Sequence, residues 1–335
     1  MVNCGGLMGQ PSQSERSISL ILFGDVNLGR MVGKELLRGD TGYPFRHVLG
    51  TLSTADVVFL NLESQLSDQD GETQHPKYNL IFTGPPSGAV SLRQANVSVV
   101  STANNHAFDY GMRALRETIV HLQGAGVQIV GTSFDSVAGS TPAIVEREGI
   151  RIGFLAYTEF VNQKGLWVGR IALYDSVQCR RDIEQLRRKV DLVVVSYHGG
   201  VEYTDSPSSR LRRELRILID AGADVVVGHH PHYVQGIESY NGKLIFYSLG
   251  NFVFYQPQRD LAMSGLGVEL TLGRHAGKIS VNNTRLLAVR TGLQPTFTLT
   301  KAEEESFFQR LKKLSPVLIE QTNGAWFVNL QLTHD

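Results

Sequence analysis

The residues able to do chemistry in this chain stand at the ends of apolar runs. The clearest case is residues 224–232, D-V-V-V-G-H-H-P-H, where three valines lead into a glycine and histidines fill three of the last four positions. A buried β-branched run of this length reads as a central strand of a parallel sheet. Its polar tail then falls at the strand's carboxyl end, where open α/β sheets bind ligands. Pro231 fixes its own φ and biases His230 towards an extended conformation. Held in that way, His230 and His232 form a candidate metal-ligand pair.

Other apolar runs end in the same manner. The first supplies Asp25 and Asn27, the second Asn61 and Glu63, and a third Asn104, Asn105 and His106, with Asp109 just beyond. A later one ends in His198, and the run described above adds His229. Each residue alone has a plainer reading. Asp25 suits a turn or helix cap, Asn104-Asn105 a turn, His106 a buried histidine, His198 a bend beside two glycines, and Glu63 a solvated loop acid. A single metal centre accounts for all of them at once. Carboxylate, amide oxygen and imidazole together are a mixed nitrogen and oxygen set for divalent Mn, Fe or Zn.

The elements that must position these residues follow from periodicity. Strands are expected at 18–23, 56–60, 150–157 and 192–197, and helices at 28–37, 111–123, 174–189 and 209–221. Segments 92–106, 122–133 and 218–232 repeat one plan: a helix end, a stop, a valine-rich strand and a polar loop. Asn96, Gly126 and Gly222 suit the left-handed position just past a helix. From residue 234 the pattern changes to short strands joined by turns, at 234–239, 243–248, 252–255, 267–272 and 279–289. Asn241-Gly242 is a hairpin signal, and 301–314 reads as a closing amphipathic helix. Parallel units followed by antiparallel ones predict an α/β fold with mixed sheets and helices outside. The division expected is a flexible tail at 1–17, a main domain at 18–290 and a segment at 291–335 packing on it.

Composition excludes several classes. Lys and Arg total 32 and Asp and Glu total 32, so the chain lacks the basic surplus of a protein that coats nucleic acid. Cys4 and Cys179 supply neither a disulfide framework nor a four-cysteine zinc site. No apolar run reaches the roughly 18 residues of a membrane span, and residues 1–17 lack the basic-then-apolar pattern of a secretory signal. A cytoplasmic protein without a membrane anchor is expected. Gly24-Asp25-Val26-Asn27-Leu28-Gly29 is not G-x-G-x-x-G, which sets aside a dinucleotide-binding reading.

The order G-D-x-x, N-L-E, A-N-N-H-x-x-D-Y-G, H-x-G-x-E-Y, H-P-H and Y-S-L-G-N-F-V-F resembles the CapA family of poly-γ-glutamate biosynthesis proteins, a branch of the calcineurin-like metallophosphoesterases. The resemblance runs from about Ser19 to Leu272, with most weight on 104–111 and 228–254. It implies a four-layer α/β/β/α sandwich of two mixed sheets holding one or two divalent ions. By position it implies Asp25 and His232 on a first metal, Asn105, His198 and His230 on a second, and Glu63 bridging. His106 would protonate a leaving group, with Asp109 orienting it, and His229 falls outside the ligand set. The sequence departs from the superfamily in two places. Asn27 stands where Asp-x-His is usual, and Glu63 replaces a bridging aspartate, which weakens the first metal position.

The function expected is metal-dependent hydrolysis, in which the ions lower the pKa of a water and His106 protonates the departing atom. A phosphoester is the superfamily's substrate class, and the family name points to a γ-glutamyl-type amide. Both imply a small-molecule, peptide or polymer anion as partner. Asn27, Arg30, Lys77, Arg170 and Arg259 are candidate substrate contacts, and Tyr203 and Tyr255 candidate pocket walls. The alternative expectation is a non-catalytic, metal-rigidified scaffold in a polymer-synthesis complex.

Overall fold

The computed structural model describes residues 17–134, 141–275 and 277–330; the tail expected over 1–17 lies outside these apart from Ser17. The chain begins β1 (Ile18–Val26), α1 (Arg30–Leu37), α2 (Leu49–Leu52), β2 (Val57–Leu62), β3 (Gln65–Leu66), β4 (Thr83–Gly84), α3 (Ser87–Gln94) and β5 (Val99–Ser101). It continues with α4 (Gly111–Gly124), β6 (Gln128–Val130), β7 (Ala143–Arg147), β8 (Ile150–Thr158), α5 (Ser176–Arg187), β9 (Leu192–His198), α6 (Ser209–Asp220) and β10 (Val225–His229). It then forms β11 (Ile237–Tyr240), β12 (Lys243–Phe246), β13 (Asn251–Val253), β14 (Ser264–His275), β15 (Lys278–Arg290), α7 (Lys301–Leu314), β16 (Leu318–Thr322) and β17 (Ala325–Asn329).

Side-chain alternation along β1 and β2 sets the layers, because successive residues of a strand face opposite sides of the sheet. Leu20, Leu22, Val57 and Phe59 enter a core shared with Phe154, Val194 and Val225 of the second sheet. Ile21, Phe23, Val58 and Leu60 enter another, shared with Val32 and Leu36 of α1 and Leu92 of α3. Phe59 and Phe154 stack across the space between the sheets, ring centroids 5.4 Å apart. Ile183 and Leu186 of α5 and Leu215 and Leu218 of α6 pack on the second sheet. The result is the expected α/β/β/α sandwich.

The larger sheet runs β16-β17-β15-β14-β1-β2-β5-β6, with β13 also paired to β1; the smaller runs β11-β12-β10-β9-β8-β7. β1, β2, β5 and β6 are parallel, as are β12, β10, β9 and β8. Asn96, Gly126 and Gly222 all take positive φ just past α3, α4 and α6. Asn241 and Gly242, at φ +51° and +71°, join β11 to β12 in a two-residue turn, the geometry that matches the twist of a hairpin.

The antiparallel run expected from residue 234 needs one correction. β11–β12 and β14–β15 are hairpins, but β12 lies parallel to β10 and β13 lies parallel to β1 in the other sheet. The chain crosses between sheets after Phe246. Short apolar runs buried on both faces carry no sign of which partner they will take. At the C-terminal side, the β16–β17 hairpin extends the larger sheet, and Phe308 of α7 stacks on Trp326 at 4.4 Å.

Candidate metal centre

Strand register brings the polar tails to one edge. Asp25 pairs with Asn61 across β1 and β2, and His198 with His229 across β9 and β10. All of these strands run in parallel within their sheets, so their carboxyl ends open on the same side. The two sheets meet there through the backbone N–H of His230, which donates to Asp25 Oδ2 at 3.2 Å.

Two groups of potential ligand atoms result, Glu63 with His198 and His230, and Asp25 with Glu63 and His232, each lying within 4.8 Å of one another. Glu63 belongs to both. Asn105 Oδ1 lies 2.7 Å from His198 Nε2, so the amide oxygen faces the same space. His106 Nε2 approaches Glu63 Oε1 at 4.0 Å, and its Nδ1 is 2.7 Å from Asp109 Oδ2. The structure thus brings together Asp25, Glu63, Asn105, His106, Asp109, His198, His230 and His232, every one buried.

Neither carboxylate oxygen of Glu63 has a hydrogen-bond partner, although the side chain is fully buried. An uncompensated buried carboxylate is costly, and the ordinary remedies are protonation or a cation. A divalent ion fits this donor set. Burial pushes the Glu63 carboxyl well above its usual range, and the Asp25 carboxylate adds to the shift. Burial acts on Asp25 in the same sense, but His229, His198 and His232 outweigh it and hold that carboxyl well below its usual value. Burial also lowers the three histidines: His230, with His232 beside it, falls to about 3, and His198 and His232 shift the same way. At neutral pH the pocket therefore offers neutral imidazoles, the form that binds metals.

The loop holding these ligands is strained. His230 has φ +96° and His232 φ +56°, against the extended conformation expected for His230 from the proline that follows. The Asp25 contact to its backbone and the need to turn both rings inward override the local preference. Arg30 and Tyr203 also adopt positive φ, so unusual backbone gathers around the pocket, as it does at functional sites. Gly24 explains the Gly-Asp of the first motif: a Cβ there would lie 1.8 Å from the Gly250 carbonyl oxygen. Gly24→Ala is expected to cost about 1–3 kcal/mol of stability by overpacking and to lower bound metal by displacing Asp25. Chemical unfolding, with metal content measured in parallel, checks this.

The remaining sequence candidates fall into distinct places. Asn27 Oδ1 accepts the Gly29 N–H at 2.8 Å at the approach to α1, while its Nδ2 is buried without a partner. That bond, with the left-handed Arg30, is why the helix expected from residue 28 starts at 30. Arg30 lies over the Phe82 ring and Arg259 over the Tyr203 ring. Lys77 is exposed in the loop preceding β4, its backbone N–H on His75 Nδ1. Arg170 is engaged by the Phe134 carbonyl.

The sequence offered Asn61 and Asn104 as strand-end candidates without showing that they hold the neighbouring side chains, and it did not single out Asn251. Asn61 Nδ2 donates to Asp25 Oδ1 at 2.9 Å and sits 3.2 Å from His198 Nδ1. Asn104 Nδ2 donates to the Leu62 carbonyl at 2.8 Å, and Asn251 Oδ1 lies 2.9 Å from His232 Nδ1. Their one signal was position: Asn61 lies near the end of β2, Asn104 just past β5 and Asn251 at the start of β13. His229 is fully buried, with Nδ1 3.3 Å from Asp25 Oδ1 and neither ring nitrogen hydrogen-bonded.

Fold and donor set together define an α/β/β/α sandwich with a candidate divalent-metal centre at its strand ends. The chain belongs to the family described as bacterial capsule synthesis protein PGA_cap, which matches residues 19–256. It is 34% identical over 248 residues to the PGA biosynthesis protein CapA of Bacillus subtilis, covering 72% of this chain and 65% of that one. It is 31% identical over 252 residues to the capsule biosynthesis protein CapA of Bacillus anthracis, covering 73% and 61%. The chain thus spans less than two thirds of the length of these relatives. Among solved structures it is similar to the calcineurin-like phosphoesterase YfkN from Bacillus subtilis, with 13% identity, a TM-score of 0.47, and coverage of 90% of this chain and 99% of that one. No helix among the described residues is long and apolar enough to cross a membrane.

Proposed function

We propose that this protein is a metal-dependent hydrolase acting on a phosphoester or a γ-glutamyl-type amide of an anionic substrate, in capsule or poly-γ-glutamate metabolism. The observation that carries the reading is the bare, buried Glu63 carboxylate shared by two sets of potential ligands, with a His106–Asp109 pair aimed at it. Asp25, Glu63 and His232 would hold one ion, and Glu63, Asn105, His198 and His230 a second. Bound there, a divalent ion such as Mn, Fe or Zn supplies Lewis acidity and lowers the pKa of water. His106 turns Nδ1 to Asp109 and Nε2 to the pocket, where a proton can pass to a departing oxygen or nitrogen.

A second reading, a metal-rigidified scaffold for polymer synthesis, is favoured by Asn27, an amide where the superfamily usually has a histidine, with its Oδ1 taken up by the Gly29 N–H. One experiment separates the two. Metal content and turnover of an aryl phosphate and a γ-glutamyl anilide, both with added Mn²⁺, are measured for the parent protein and three variants. His198→Ala and His230→Ala are expected to weaken metal binding by at least about tenfold, while His47→Ala, on an exposed loop, leaves it unchanged. Equal metal content in all four proteins would overturn the site; metal without turnover of either substrate would favour the scaffold.

A further inference from the structure

Two guanidiniums flank the metal pocket, each separated from it by one aromatic layer. The Arg30 guanidinium lies 4.7 Å from the Phe82 ring centroid and 5.8 Å from that of Phe254. Phe82 stacks on His106 at 4.4 Å, and Phe254 meets His232 at 4.9 Å. On the other flank Arg259 lies 4.6 Å from the Tyr203 ring, which stacks on His232 at 5.7 Å. A guanidinium on an aromatic face keeps its edge donors free for an anion.

Of the two, Arg30 is the more tightly placed. Its backbone N–H donates to the Thr73 carbonyl at 2.9 Å, and its own carbonyl accepts from Thr73 Oγ1 at 2.9 Å. These contacts pin the residue at φ +51°. One terminal nitrogen donates to the Asn79 carbonyl at 2.9 Å, while Nε is buried with no partner. Arg30 forms no ion pair with a carboxylate among the described residues. Beside it opens a cleft of about 800 Å³, walled further by Lys34, His75, Asn79, Tyr255 and Gln258. A stacked cation at positive φ, with a buried donor that has no partner, stands between that cleft and the Phe82–His106 stack.

We propose that Arg30 is the anion anchor of the substrate site, and that the cleft beside it receives the anionic arm of the substrate flanking the scissile bond. The arm carries a carboxylate or a phosphate, groups that a guanidinium fork recognises alike. The inference rests on the hydrolase reading for the word substrate, but the anion site itself can be tested apart from turnover and from metal.

The test is calorimetric titration of the protein, once stripped with EDTA and once loaded with Mn²⁺, using glutarate, inorganic phosphate and the uncharged glutaramide as probes. Arg30→Gln is expected to raise the Kd of at least one anion by about tenfold or more, with bound Mn²⁺ unchanged. Arg30→Lys, which keeps the charge and the stem but loses the fork, should fall between, and it guards against a folding defect in the first variant. A loss confined to glutarate assigns a carboxylate arm, and one confined to phosphate assigns a phosphoryl arm. Wild-type affinity for both anions in both variants would overturn the proposal, as would an equal loss for glutaramide. If the parent protein binds no metal yet shows Arg30-dependent anion binding after EDTA, the hydrolase reading fails and the anchor stands.

Discussion

Replacing Glu63 by Gln is expected to stabilise the metal-free protein and to abolish its stabilisation by metal. Glu63 is a buried carboxylate with two unpaired oxygens, and its neighbour Asp25 already carries the negative charge that three imidazoles and the Asn61 amide support. The Glu63 carboxyl is raised well above the ordinary 4.5. A group whose folded pKa is raised contributes stability that is full below its unfolded value and is lost as pH rises through the folded one. Neutral pH lies above the unfolded value, so the metal-free protein is already giving up part of that contribution there, and a neutral amide of nearly the same shape avoids the loss. Mn²⁺ present at 100 times its Kd would add about 2.7 kcal/mol to the parent protein. For a chain of 335 residues that is about 4 °C in Tm. In Glu63→Gln both sets of potential ligands lose their common member, and the gain should vanish. Thermal unfolding with EDTA and with Mn²⁺, for parent and variant, reads both effects. A variant less stable than the parent in EDTA, or equally stabilised by Mn²⁺, would show that the pocket is not organised to hold a cation.

His106→Ala carries the second large effect. The ring is buried, 2.7 Å from Asp109 on one nitrogen and 4.0 Å from Glu63 on the other, and Phe82 stacks on its face. It stands outside both sets of potential ligands. Its removal should lower turnover of the aryl phosphate by about 10²- to 10⁴-fold, the range of a lost general acid. Metal content should stay at the parent level. The deficit should shrink for a substrate whose leaving group is acidic enough to depart without a proton, such as a nitrophenolate, compared with an alkoxide. Loss of metal together with activity would reassign His106 as a ligand. Unaltered turnover on both leaving groups would remove it from the chemistry and strengthen the scaffold reading.

The two variants probe different parts of one pocket, and their combination is informative. Glu63→Gln acts on the charge balance at the centre and His106→Ala on proton delivery at its margin. A centre that binds metal but needs no proton donor would lose its Tm response in the first variant and keep its rate in the second. On the proposed reading, hydrolysis with a slow-leaving alkoxide would need both residues.

Much of this pocket could be read along the chain because parallel strands all release their tails on the same side. Asp25, Glu63, Asn105, His198, His230 and His232 each follow an apolar run, and the register of β1 with β2 and of β9 with β10 brings them level. Left-handed positions at Asn96, Gly126 and Gly222 and the Asn241-Gly242 hairpin were equally legible, since each depends on the conformational freedom of a few adjacent residues. The crossing from β12 to β13 was not, because a short run buried on both faces does not encode its partner. Nor was the backbone of His230, where a contact with Asp25, 205 positions away in sequence, overrides the preference set by Pro231. Asn61 and Asn251 as holders of ligands, and the aromatic layers under Arg30 and Arg259, belong to the same class. Local propensity and periodicity determine which residues reach the strand ends. Only the packing of one sheet on the other decides which of them could share a cation and which hold the others in place, because those contacts join parts of the chain that share no local signal.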